Sequence, residues 1–149
     1  MAKLCGSYAK KNKKNGEVVA AVTRDPVKDE LFWAEKGKGA FVNNRRLRVS
    51  ARRQVQDSML AINFDISDFV NTRQTGSSAL DLAYVAAGRF DGYAQKRFGA
   101  WDVSGGCLMV REAGGVVTDF SGAKFNHTEV KGIAAGSSFI QPEIVKRLI

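Results

Sequence analysis

Two short stretches combine residue types that could do chemistry on an anion. The first is Trp101-Asp102-Val103-Ser104-Gly105-Gly106. A carboxylate at a helix start can simply cap it, accepting a backbone N–H at the positive end of the dipole. The same carboxylate can hold a hard cation while amides left open by small residues face an oxyanion. The second stretch, Gly76-Ser77-Ser78, is another small, hydroxylated helix start. Its simpler use is again a cap, with Ser77 or Ser78 in that position. Two such starts in one short chain point to phosphate, but neither start alone decides between cap and ligand site.

Other candidate groups fit plainer roles. His127 is the single histidine and lies in a polar stretch, so a surface position is expected. No Gly-x-Ser-x-Gly elbow supports a Ser-His-Asp triad. Cys5 and Cys107 match no zinc or redox spacing, and Cys107 reads as a small core residue inside an apolar helix. Glu112 stands near a helix C-terminus, where its charge is unfavourable unless paired, for example with Arg111 or Arg97. Asp25 and Asp29 flank a turn and are expected to be solvated.

The elements that must position these groups follow from pattern. Residues 1–16 read as an irregular basic segment and 17–149 as the folded domain. Glu17–Thr23, Leu31–Glu35, Ala40–Val42 and Arg46–Val49 read as strands, separated by Asp25-Pro26, Gly37-Lys38-Gly39 and Asn43-Asn44 turns. That half is a meander. Ser78–Gly88 and Trp101–Ala113 read as helices ended by glycines, with a strand over Phe90–Gln95 between them. Strands over Val116–Asp119 and Lys131–Gly136 and a helix from Pro142 to Ile149 complete the chain, and residues 63–75 form a loop with at most one short strand. Meander followed by alternation predicts an α/β (α+β) fold, a layered mixed sheet with flanking helices.

Composition bounds the rest. The 149 residues suit one domain burying about 70% of its unfolded surface. Apolar residues make up 44% and charged residues 26%, which excludes disordered, collagenous and coiled-coil classes. No apolar run is long enough for a membrane span or a signal peptide, and with so few cysteines a cytoplasmic setting is expected. The net charge is +8, with basic clusters at Lys10, Lys11, Lys13 and Lys14 and at Arg45, Arg46, Arg48, Arg52 and Arg53. Such an excess attracts acidic partners non-specifically. No aromatics interleave with either cluster, so nucleic-acid binding is not expected as the main role.

Trp101-Asp102-Val103-Ser104-Gly105-Gly106, continued by Arg111-Glu112-Ala113-Gly114-Gly115, resembles the WDxAAG…EAGG signature of the inositol monophosphatase family. The run from Gly76 through Leu80-Asp81-Leu82 to Gly92-Tyr93 resembles the segment preceding that signature. Asp25-Pro26 and Asp29 to Phe41 resemble the family's central hairpin. The resemblance spans about Gly16 to the C-terminus, with one gap. It implies layered α and β elements and a phosphomonoesterase using Mg2+, in which metal-activated water attacks phosphorus in line. By resemblance Asp102 is the metal-ligating aspartate, and Gly76, Ser77 and Ser78 contact the sugar or inositol ring of a phosphorylated substrate. Gln95 stands where the family commonly has a substrate-binding glutamate. Glutamine keeps the hydrogen bonds and loses the charge.

The departures matter equally. The family's Gly-Glu-Glu and Asp-Pro-Ile-Asp-Gly-Thr segments, which carry most of its metal ligands, are not in this sequence. The chain is expected to begin where that half would end, and the stretch from Ile62 to Thr75 is shorter than in relatives. One carboxylate cannot hold two magnesium ions, so no catalytic residue is assigned and weak or no activity is expected from the chain alone. An uncovered apolar face would favour a homo-oligomer or a companion chain. The alternative is a non-catalytic family member or fragment acting through protein or RNA binding.

Overall fold

The computed structural model describes residues 6–11, 15–64, 69, 71–126 and 132–148. Cys5, Lys13, Lys14 and His127 lie outside them.

The meander forms as the turns dictate. Strands β1 (Gly6–Lys11), β2 (Val18–Asp25), β3 (Glu30–Glu35), β4 (Gly39–Val42) and β5 (Arg45–Arg46) make an antiparallel sheet in sequential order. β1 differs from the sequence expectation, which gave residues 1–16 no regular structure. Gly6–Lys11 pairs along β2, with a register shift between Lys10 and Lys11. Its sequence ends in Lys10-Lys11, a pair of the kind that edge strands carry and that gives no strand signal by itself. Side chains alternate across the sheet. Ala21, Thr23, Phe32, Ala34, Ala40 and Val42 are buried on one face. On the other, Trp33 stacks on Phe41 at 4.4 Å, and Val22 and Leu31 are exposed.

The second sheet is mixed. β6 (Leu60–Ile62), β7 (Thr72–Arg73), β8 (Gly92–Gln95), β9 (Val116–Thr118) and β10 (Ile133–Gly136) lie in the order β7-β6-β8-β10-β9. β6 is parallel to β7 and β8; β10 is antiparallel to β8 and β9. Both faces are covered. Ala61, Tyr93, Ile133 and Ala135 belong to the core shared with the first sheet. Their strand neighbours Leu60, Ile62, Ala94 and Ala134 pack with Ile140, Ile144 and Val145. Sequence pattern gave no strand at β6, because a strand buried on both faces does not alternate.

Helices α1 (Ser78–Ala86) and α2 (Ala100–Glu112) fill the space between the sheets, and α3 (Ile140–Leu148) covers the far face of the second. The layers therefore run sheet, helix pair, sheet, helix, which is the α/β architecture expected. Residues Ala79 to Ala86 and Val103 to Val110 are buried all round, as interior helices must be. α1 stops where Gly88 takes φ +70° and the Arg89 amide returns to Tyr84 O at 2.9 Å. α3 starts two residues earlier than Pro142, at Ile140, because the Ser137 hydroxyl accepts the Ile140 amide at 3.2 Å. Among the described residues no helix is long and apolar enough to cross a membrane.

Candidate active site

Ser77 is the cap of α1. Its backbone is extended and its Oγ accepts the Leu80 amide at 3.4 Å. Gly76 precedes it at φ +82°, a turn that an L side chain rarely adopts. Ser78, the first helical residue, is thereby left free of capping. Its Oγ donates to Gln95 Oε1 at 2.6 Å, joining the start of α1 to the end of β8. The same oxygen accepts the Tyr93 hydroxyl, and Gln95 Nε2 donates to Arg97 O at 2.7 Å. Tyr93 and Gln95 are two apart on one strand and share a face. Gln95 is thus held by three partners, with both acceptor positions of Oε1 in use. Burial pushes the Tyr93 phenol far above its ordinary value, and the Asp81 and Asp102 carboxylates add to the push. These acids lie within electrostatic range of that hydroxyl.

Asp102 sits in the first turn of α2, as the sequence implied, and is exposed. Its Oδ2 accepts the Gly99 amide at 3.2 Å, and its own amide donates to Gly99 O at 2.9 Å. The capping use is therefore realised at this position. The small residues that follow serve packing. Ser104 turns its hydroxyl to Ala100 O at 2.5 Å. A Cβ on Gly106 would lie 2.4 Å from Leu82 Cβ, so Gly106 is where α1 and α2 touch. Trp101, beside Asp102, is 80% exposed.

The structure brings Ser78 and Gln95 into contact and places Asp102 on the neighbouring helix start, within reach of Tyr93's field. Sequence inspection missed Tyr93 and Asp81. The signal for Tyr93 was its i, i+2 spacing from Gln95. Asp81 is buried within α1 and accepts the Thr75 hydroxyl at 2.8 Å. Burial raises its pKa, and the Thr75 bonds oppose that only in part.

Two expectations are corrected, for Asp25 and Glu112, and one is met, for Asp29. Asp25 is 4% exposed, not solvated. Its carboxylate accepts Tyr84 OH at 2.5 Å and the Val27 and Lys28 amides. Burial pushes Asp25 up, but these bonds outweigh it and leave its pKa below the ordinary value. Asp29 is exposed and pairs with Arg24 at 3.3 Å. Glu112 pairs with neither Arg111 nor Arg97 nor any other base among the described residues: its two oxygens accept the Gly37 and Gly39 amides, each at 2.9 Å.

The donor set does not suit the magnesium pair of a two-metal phosphatase. Mg2+ takes near-octahedral oxygen coordination. Among the described residues no group of three or more His, Cys, Asp or Glu side chains is placed to hold a metal ion. Asp102 alone is a single ligand.

Comparison with known proteins places this geometry. The family model described as inositol monophosphatase family matches residues 13–148. The chain is 38% identical to the inositol-1-monophosphatase of Rhizobium meliloti (strain 1021), over 91% of this chain and 58% of that protein. It is 39% identical to the Nus factor SuhB of Pasteurella multocida (strain Pm70), over 90% of this chain and 55% of that protein. The crystal structure of the extragenic suppressor protein SuhB from Bartonella henselae superposes with a TM-score of 0.88 at 43% identity, covering 95% of this chain and 62% of that one. The chain thus spans somewhat over half the length of the relatives it matches. With the signature around Asp102, the layered fold and these matches in agreement, the chain belongs to the inositol monophosphatase family.

Proposed function

We propose that this chain supplies the substrate side of a phosphomonoesterase site of the inositol monophosphatase type. The observation that supports the reading is the Ser78–Gln95 hydrogen bond joining α1 to β8, with Asp102 at the start of α2 within electrostatic range of Tyr93, which also bonds Gln95. Ser77, Ser78 and Gln95 would meet the hydroxyls of a phosphorylated polyol or sugar, with Gly76 giving that ring close access. Gln95 has one amide N–H left uncommitted by its partners in the described chain, so its contribution is a single donated hydrogen bond. Asp102 would contribute one ligand to Mg2+, and the remaining carboxylates would come from a companion chain or a second copy. The reaction belongs in a reducing, cytoplasmic setting, a reading supported by the buried free thiol of Cys107.

The test is magnesium-dependent phosphate release from inositol 1-phosphate. The chain is assayed alone and mixed with the N-terminal part of a relative, each beside Asp102→Asn. Activity in the mixture that disappears in Asp102→Asn is expected. No activity in a mixture that demonstrably associates would overturn the reading.

A second reading has its own support. Arg45, Arg46, Arg48, Arg52 and Arg53 are all exposed, and relatives such as the Pasteurella protein bear the name Nus factor. On this reading the chain is a non-catalytic binder of nucleic acid or of an acidic protein. Filter binding of RNA across a salt series checks it: affinity must fall steeply with salt.

A further inference from the structure

We infer that Asp81 is a positioning residue for the substrate turn. Its buried carboxylate holds Thr75-Gly76-Ser77 in the shape that offers Gly76 and Ser77 to a hydroxylated ring. The inference rests on the substrate-side reading proposed above, and Asp81 acts there through Thr75 rather than on substrate. Asp81 is 8% exposed, whereas Thr75 and Gly76 are exposed. A surface turn is therefore tethered from the interior. Thr75 Oγ1 donates to Asp81 Oδ1 at 2.8 Å, and the Thr75 amide bonds the same carboxylate.

The Thr75 hydroxyl hydrogen faces two acceptors, Asp81 Oδ1 at 2.8 Å and Ser77 O at 3.3 Å. The shorter, charge-assisted bond takes it. An Oγ1 lone pair is then free for the Ser77 amide, which donates at 3.2 Å. Asp81 thus sets the Thr75 rotor, and the rotor sets the peptide plane between Gly76 and Ser77. On the other side, Gln74 Nε2 donates to Ile62 O at 3.0 Å and fixes the turn to β6. Between these anchors Gly76 takes φ +82°, and nothing lies within 4 Å of where a Cβ would stand. The space over the turn is open to a ring.

The helix itself gains little from this acid. From Ala79 to Ala86, Asp81 is the only charged residue, and burial raises its pKa against the Thr75 bonds. Its backbone amide donates to Ser77 O at 2.9 Å and would do so with any side chain. A buried carboxylate bonded to an exposed turn is accounted for by the shape of the turn, not by the core. Its field also reaches the Tyr93 hydroxyl, which bonds Gln95 on the far side of the same site.

The experiment is steady-state kinetics on inositol 1-phosphate by this chain mixed with the N-terminal part of a relative. The parent is run beside Thr75→Val, Asp81→Leu, their double variant and Asp81→Asn. Thr75→Val and Asp81→Leu should each raise KM about fivefold with kcat unchanged, as loss of one hydrogen bond acting on binding alone requires. The double variant should raise it no further, because both substitutions remove the same bond. Asp81→Asn keeps an acceptor for Thr75 and should bring KM back close to the parent value. In the full chain alone, hydrogen exchange of the Ser77 amide should quicken in Thr75→Val and Asp81→Leu but not in Asp81→Asn. Thr75 is exposed, so Thr75→Val reads the bond even where Asp81→Leu disturbs the core. An active mixture whose KM is unmoved by Thr75→Val overturns this inference alone. So does a KM rise as large in Asp81→Asn as in Asp81→Leu. A parent mixture that associates but releases no phosphate overturns the substrate-side reading, and this inference with it.

Discussion

Ser78 Oγ stands 2.6 Å from Gln95 Oε1, so a helix start and a strand end seventeen residues apart share one hydrogen bond. Ser78→Ala removes one of two donors to that oxygen and leaves Tyr93 as the other. The cost should be about 0.5–1.5 kcal/mol. For a domain of this size that is a fall in Tm of roughly 2–5 °C, read by a thermal melt. If Gln95 serves the substrate, the same variant in the reconstituted phosphatase assay should raise KM with kcat nearly unchanged, because binding is loosened without touching the reacting atoms.

Gly106→Ala sets two effects against each other. Alanine inside a helix gains about 1 kcal/mol over glycine. Its Cβ would meet Leu82 Cβ at 2.4 Å and Leu82 Cδ1 at 2.7 Å, and the Leu82 backbone side cannot swing away. Overpacking costs about 1–3 kcal/mol. The net should be a loss of stability in urea denaturation; a gain would show that α1 and α2 can separate freely.

Glu112→Gln should destabilise by about 1–3 kcal/mol. One carboxylate oxygen becomes an NH2 that faces a backbone N–H of Gly37 or Gly39, so one charge-assisted bond is replaced by a donor facing a donor. Protection of the Gly37 and Gly39 amides against hydrogen exchange should fall together with it. If Glu112 acted only as a helix-end charge, losing it would stabilise, since a negative charge at that end is unfavourable.

Glu30 and Asp81 should drive opposite pH dependences. Two bonds from Arg89, each 2.6 Å, hold the Glu30 pKa below its ordinary 4.5. Its contribution is present above that value and is lost as pH falls through the folded pKa. Burial raises the Asp81 pKa above 3.8, so its contribution is present below that value and is lost as pH rises through the folded pKa. Asp81→Asn, which keeps an acceptor for Thr75, should therefore raise Tm at neutral pH. The gain should vanish well below pH 3.8. Glu30→Gln should lower Tm at neutral pH and converge with the parent in acid. The melting series against pH separates the two.

The sequence by itself determined the parts whose causes are local. Asn15-Gly16, Asp25-Pro26 and Asn43-Asn44 set the turns of the meander, and Ser77 and Gly88 bound α1, because caps and turns are fixed by backbone angles and neighbours a few residues away. The place of Asp102 in the first turn of α2 was legible for the same reason. Tertiary structure alone decided who meets whom across the layers. Tyr84, 59 residues on, turned Asp25 from a turn carboxylate into a buried one. Glu112 found the amides of Gly37 and Gly39 more than seventy residues back, and Gly106 proved to be a contact with Leu82 rather than room for an anion. β1 and β6 became strands through pairing with β2 and β8. Local chemistry fixes what an element is; which faces are buried, and which donors are left unmatched, follows from how sheets and helices stack, and no short stretch of sequence carries that.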